Sequence, residues 1–148
     1  MEKTEDKRVF VDTNVLLAAT DTDREHHPDA ATFLSAAFDG TWRAFASAQI
    51  FREYLVVATR PTEKNGLGLS PVSATQNVRA FQQLIQILPE ERDSHERLIA
   101  LVRQHGLKGK RIHDANLVAV MEIHGLRQLK TYNPQDFRPF GQITLIDE

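Results

Sequence analysis

The sequence predicts a single α/β domain built on a short, mainly parallel sheet. Three observations carry that reading. Short runs rich in β-branched and aromatic residues recur at Val9-Phe10-Val11, Arg43–Ser47, 128–131 and 143–146. Between them lie stretches with apolar residues at steps of three and four, long enough to serve as crossover helices. The chain has 148 residues, 41% of them apolar and 26% charged, which suits one globular core and leaves no room for a second.

Val9-Phe10-Val11 is apolar throughout and breaks at once into Asp12-Thr13-Asn14, the pattern of a buried strand with an exposed carboxyl end. Thr13 or Asn14 is placed to cap a short apolar helix over 15–19. Ala30, Phe33, Leu34, Ala37 and Phe38 form one helical stripe, ended by Asp39-Gly40. After the strand Arg43–Ser47, the helix Ala48–Thr59 is apolar on most sides. It stops at Arg60-Pro61, because a residue before proline resists the α region. Residues 61–69 hold proline, asparagine and two glycines and read as a surface loop. Ser70-Pro71 reads as an N-cap followed by proline at the first helical position. Ala74, Val78, Phe81, Ile85 and Leu88 alternate steps of four and three, which predicts one amphipathic helix running to Pro89. Asp93 with Glu96 three residues on reads as a capping box for a helix that carries Leu98, Val102 and His105 and ends at Gly106. Beyond the basic turn Lys108-Gly109-Lys110-Arg111, Asp114 opens a helix that is apolar almost throughout and ends at Gly125. Crossovers in such a fold are right-handed, and ligands bind outside the carboxyl ends of the strands.

The formal net charge of −2 excludes a globally basic nucleic-acid binder; a polyanion would be held by a local patch or through metal. The absence of cysteine excludes disulfides, thiolate catalysis and Cys-ligated metal, and suits a reducing compartment. No apolar stretch approaches the ~18–20 residues of a membrane span. The charged start of the chain lacks the apolar core of a signal peptide. The expectation is a soluble cytoplasmic protein with no membrane partner.

Three carboxylates stand out. Asp12 lies where the first strand emerges. Glu53 is, with Arg52, one of two charged residues on its helix before Arg60. Asp114 heads the most apolar helix. Singly, each has an ordinary reading: a turn residue, a solvated helix face, an N-cap. As a set, acids distant in sequence that converge in a low-dielectric cleft repel, and a hard dication with oxygen ligands relieves them. Mg²⁺ is the expected cofactor, and Mn²⁺ accepts the same ligands. Histidines 26, 27, 95, 105, 113 and 124 show no zinc-type pairing, and His113 is assigned no catalytic role.

Val9-Phe10-Val11-Asp12-Thr13-Asn14-Val15-Leu16-Leu17 resembles the opening motif of PIN-domain ribonucleases. Ala48–Thr59 with Arg60-Pro61 resembles the helix carrying their second acid. Lys110-Arg111-Ile112-His113-Asp114-Ala115-Asn116-Leu117-Val118-Ala119 is similar to the segment carrying their third. Leu129-Lys130-Thr131-Tyr132-Asn133-Pro134-Gln135-Asp136-Phe137 is similar to the ending of their fourth strand, and the motif order matches over 9–146. The small size, with nothing appended, is similar to VapC-type toxins of toxin–antitoxin pairs.

This resemblance implies a PIN-like three-layer domain and a metal-dependent endoribonuclease. Asp12, Glu53 and Asp114 would hold Mg²⁺, and cleavage would leave a 5′-phosphate. It also implies an RNA substrate, a cognate DNA-binding antitoxin and a homodimer, for which the apolar helix over 74–88 offers a surface. Many relatives carry an acid where this chain has Asn133. Asn133 can offer a carbonyl oxygen to metal or order a water, or Asp136 can take the fourth place. Ser47, at the second strand's end, could orient Asp12 or a water. Arg111, three residues before Asp114, is the best candidate among Arg52, Arg60, Lys64, Lys108, Lys110 and Arg111 to hold an RNA phosphate. Two rivals stand beside this reading. A phosphatase with an aspartyl nucleophile wants a second Asp two positions after Asp12, where Asn14 stands. A PIN-like module that binds RNA or protein without cleaving is favoured by the missing charge at 133.

Overall fold

The computed structural model describes residues 6–146. Five strands, β1 (Arg8–Val11), β2 (Arg43–Ser47), β3 (Ile85–Leu88), β4 (Gln128–Lys130) and β5 (Thr144–Ile146), form one all-parallel sheet in the order β3-β2-β1-β4-β5. Val9, Phe10 and Val11 are fully buried, as the central strand of a two-sided sheet requires. Phe10 lies opposite Phe45 of β2 on one side and Leu129 of β4 on the other.

Six helices flank the sheet: α1 (Thr13–Thr20), α2 (His27–Phe38), α3 (Ala48–Thr59), α4 (Pro71–Phe81), α5 (Arg92–His105) and α6 (Arg111–Ile123). α1 packs on α2 and α3, α3 packs on α4, and α5 packs on α6. With right-handed crossovers this places α1–α4 on one face and α5–α6 on the other. The chain steps outward from β1 to β2 to β3, then crosses back to β4 on the far side of β1. The direction of winding therefore reverses between β1 and β4, and a crevice opens there at the carboxyl edge. No helix among the described residues is long and apolar enough to cross a membrane.

Four local expectations are corrected. The helix expected over 74–88 ends at Phe81, and Ile85–Leu88 is an edge strand parallel to β2, with Ala44 opposite Ile85 and Ser47 opposite Leu88. Ile85 and Leu88 satisfy a helical stripe by spacing. Without β3, however, the outer side of β2 would leave its backbone groups without ladder partners. α1 is capped by Asp12 rather than by Thr13 or Asn14. The capping box of α5 is Glu91 with Ser94, not Asp93 with Glu96; Ser94 is buried and its hydroxyl accepts from the Glu91 N–H. α6 starts at Arg111, so Asp114 stands one turn inside the helix instead of heading it. The loop 61–69 folds back onto the end of α3, where Leu67 and Leu69 N–H groups donate to the carbonyls of Val57 and Ala58. Any side chain at Gly66 would strike the Arg60 carbonyl, its Cβ falling 2.0 Å from that oxygen.

Candidate active site

The site grows from the end of β1. The Asp12 N–H extends the β1–β4 ladder by donating to the Lys130 carbonyl at 3.0 Å, which sets the side chain at the strand's carboxyl edge. Its Oδ1 accepts from the Thr13 N–H at 2.8 Å and caps α1; its Oδ2 accepts from the Thr131 hydroxyl at 2.8 Å. Burial pushes the Asp12 carboxyl up to about 6. The hydrogen bonds from Thr131 and Thr13 resist that rise, and the charges of Glu53 and Asp136 add to it.

Glu53 projects from the middle of α3. The Thr13 hydroxyl donates to its Oε2 at 2.9 Å and the Gln49 amide to its Oε1 at 2.9 Å. Thr13 therefore ties the first two acids together, by its backbone to Asp12 and by its hydroxyl to Glu53. Asp114 comes from the first turn of α6, where Arg111 Nε lies 3.3 Å from its Oδ2. Burial pushes Asp114 up to about 6; Arg111 works against this, while Asp136, Asp12 and Glu53 reinforce it.

Asp136 sits in the 3₁₀ turn Pro134–Asp136 that follows β4. Arg111 reaches it as well, with Nη1 at 3.4 Å from Oδ1 and Nη2 donating to the backbone carbonyl at 2.7 Å. The guanidinium thus spans Asp114 and Asp136. Arg111, the expected phosphate-holding residue, is engaged with two acids in this structure.

The structure therefore brings together Asp12, Glu53, Asp114, Asp136 and Arg111. It does not join Asn133 or Ser47 to them by hydrogen bonds. Asn133 is exposed, and its backbone N–H donates to the Thr131 hydroxyl at 3.1 Å. Ser47 is fully buried, and its Oγ has no hydrogen-bond partner. Thr13 and Thr131 orient the acids where Ser47 was expected to. Sequence reasoning missed both threonines and Gln49. Gln49 was the most accessible of these, since it lies four residues before Glu53 on one helix face.

The donors are carboxylate oxygens, the like charges are desolvated, and Arg111 already compensates two of them. That chemistry fits a hard dication. Among the described residues no three acidic or histidine side chains stand ready to close on one ion. Glu53, Asp12 and Asp114 instead spend their oxygens on hydroxyl, amide and guanidinium donors, so side-chain adjustment or bridging water belongs to any bound state.

Beside the acids runs an open groove of about 500 Å³, lined by Thr13, Glu53 and Asp114 and by the cations Arg52, Arg60 and Lys110, with Val56 and Val57 as an apolar strip. Lys64 and Lys108 do not line it.

The PIN domain family model matches residues 9–140. No curated protein is significantly similar in sequence. Among solved structures, a toxin–antitoxin complex from Klebsiella pneumoniae is similar at TM-score 0.64 and 24% identity, covering 92% of this chain and 95% of that one. VapC20 of Mycobacterium tuberculosis, a toxin that cleaves the sarcin–ricin loop, superposes at TM-score 0.69 with 14% identity, over 89% and 95% of the two chains. DNA-bound VapBC from Salmonella typhimurium gives TM-score 0.67 and 18% identity, over 95% and 97%. The sheet order, the acids at its carboxyl edge and the family match over 9–140 agree, and the chain belongs to the PIN-domain family.

Proposed function

We propose that this protein is a metal-dependent endoribonuclease and the toxin of a toxin–antitoxin pair. The observation that carries the reading is the convergence of Asp12, Glu53, Asp114 and Asp136 beside a groove bearing Arg52, Arg60 and Lys110. The structural likeness to a toxin–antitoxin complex, to DNA-bound VapBC and to a toxin that cleaves the sarcin–ricin loop supports it.

Asp12, Glu53 and Asp114 would hold Mg²⁺ or Mn²⁺. When bound, the dication supplies a Lewis acid that generates hydroxide from water near neutral pH and neutralises charge on the phosphoryl oxygens. The chain's own residues do the rest. Arg52, Arg60 and Lys110 hold backbone phosphates along the groove, which positions the strand without reading its bases. Thr13, Thr131 and Gln49 hold the carboxylates of Asp12 and Glu53 at the carboxyl edge of the sheet, from which they would turn to a bound ion. Arg111 favours the ionised form of Asp114. The antitoxin would be a DNA-binding protein whose tail covers the groove, the strip at Val56 and Val57 giving it an apolar footing. The proposed place of action is the cytoplasm, as a homodimer.

The test is cleavage of RNA by the purified protein. Activity is expected with Mg²⁺ or Mn²⁺ and is lost with chelator or in Asp12→Asn. RNA binding that needs no metal and yields no product would support the second reading, a non-catalytic PIN module. The uncharged Asn133 and the engagement of Arg111 with two of the acids favour that alternative.

A further inference from the structure

Gln49 is 2% exposed and lies one helical turn before Glu53. Its Nε2 donates to Glu53 Oε1 at 2.9 Å and to the His113 carbonyl at 3.1 Å, while its Oε1 accepts from Asn116 Nδ2 at 2.6 Å. The second N–H of Asn116 Nδ2 goes to Glu90 Oε1 at 2.9 Å. These partners determine which way both amides face. A backbone carbonyl and a carboxylate accept only, so the Gln49 nitrogen must meet His113 and Glu53, and the Asn116 nitrogen must meet Glu90. Flipping Gln49 would press oxygen against oxygen at both contacts.

His113 and Asn116 bracket Asp114 in α6. Gln49 therefore grips α6 on both sides of the third acid while it holds the second. Of the two Glu53 oxygens, one is held from α1 by Thr13 and the other by this grip.

We propose that Gln49 and Asn116 are positioning residues that fix the Glu53 carboxylate against Asp114 and thereby set the affinity of the site for a divalent cation. The proposal rests on the metal-nuclease reading above. Neither residue lines the groove beside the acids: Gln49 acts through Glu53, and Asn116 acts through Gln49. Removing such an outer hydrogen bond typically weakens metal binding by about 10–100-fold.

The test is Mn²⁺ binding to the full chain, read from the electron paramagnetic resonance of the free ion. Gln49→Leu is expected to weaken binding about 10-fold or more, and Asn116→Ala to weaken it less. The double variant should bind as Gln49→Leu alone does, and neither change should alter binding further in a Glu53→Ala background. Effects that add in full, or that persist without Glu53, overturn the proposal, because a merely structural role gives that pattern. If Glu53→Ala weakens binding while Gln49→Leu and Asn116→Ala match the wild type, the positioning role fails and the metal site stands. If the wild type binds no Mn²⁺, or Glu53→Ala binds as the wild type does, both fall. Should Gln49→Leu not fold, the partly exposed Asn116→Ala decides alone, in the wild-type and Glu53→Ala backgrounds.

Discussion

Asp12→Asn should destroy activity and yet stabilise the metal-free protein at neutral pH. Burial raises this carboxyl from 3.8 to about 6 in the folded chain. Between those values the folded state binds more protons than the unfolded one, so the contribution of Asp12 to stability falls as pH rises from about 4 to about 6 and stays low above that. At 1.36 kcal/mol per pKa unit the ionised carboxylate costs about 3 kcal/mol at pH 7.5. Asparagine keeps an acceptor for the Thr13 N–H, but its amide faces the Thr131 hydroxyl, whose oxygen already accepts from Asn14 Nδ2 and the Asn133 N–H, and that mismatch offsets part of the gain. A net gain of about 1–3 kcal/mol is therefore expected, or several degrees in Tm at roughly 2–4 °C per kcal/mol for a chain of this size. The assay is thermal or urea unfolding in chelator at pH 7.5 and at pH 4. The gain should be present at pH 7.5 and nearly absent at pH 4. Saturating Mg²⁺ should then raise the Tm of the wild type and leave the variant where it is. No gain at pH 7.5, or an equal gain at both pH values, refutes the burial of a repelled charge at the end of β1.

Other consequences are read in the same way. Ser47→Ala removes a buried hydroxyl that has no partner, so its urea midpoint should be unchanged or higher, by up to about 1 kcal/mol. Lys130 is 3% exposed and bonded to Asp29 at 2.7 Å; Lys130→Met removes that cation but leaves Asp29 partly exposed and still bonded to the Tyr132 hydroxyl, so it should lose about 1–3 kcal/mol at pH 7 by urea unfolding. Burial works against the ionised Asp29, yet Lys130 and Tyr132 hold its carboxyl below the usual value. The loss should therefore shrink as pH falls below 4 and Asp29 takes up its proton. Replacing Arg52, Arg60 and Lys110 together by alanine should weaken RNA binding and flatten its salt dependence by about 2 in log–log slope, at about 0.7 per lost contact to single-stranded phosphate. An unchanged slope would remove the groove from the RNA path.

The parts of the fold that sequence made legible are those where one physical cause dominates. Val9-Phe10-Val11 can only be an interior strand, and the polar residues that follow place Asp12 at its carboxyl end whatever the rest of the chain does. β3 was hidden because Ile85 and Leu88 fit a helical stripe as well as a strand; the deciding term is the ladder offered by β2, which is not local. The caps slipped for a related reason. Asp12, Glu91 and Arg111 each begin a helix earlier than the nearest strong local signal: Thr131 and Asp136, distant in sequence, hold Asp12 and Arg111, while Glu91 is held by a local capping box that competes with the Asp93–Glu96 pattern. Within the site, the acids were visible by type and spacing. Their supports were not, because Thr131 and Asn116 meet Asp12 and Gln49 across 119 and 67 residues of chain.

The most direct test of the central claim is the anomalous scattering of Mn²⁺ in crystals of the full chain. A peak bounded by oxygens of Asp12, Glu53 and Asp114, absent in Asp12→Asn crystals grown alike, is the predicted result. No peak there, with Thr13, Thr131, Gln49 and Arg111 still bonded to those acids at saturating Mn²⁺, would contradict it.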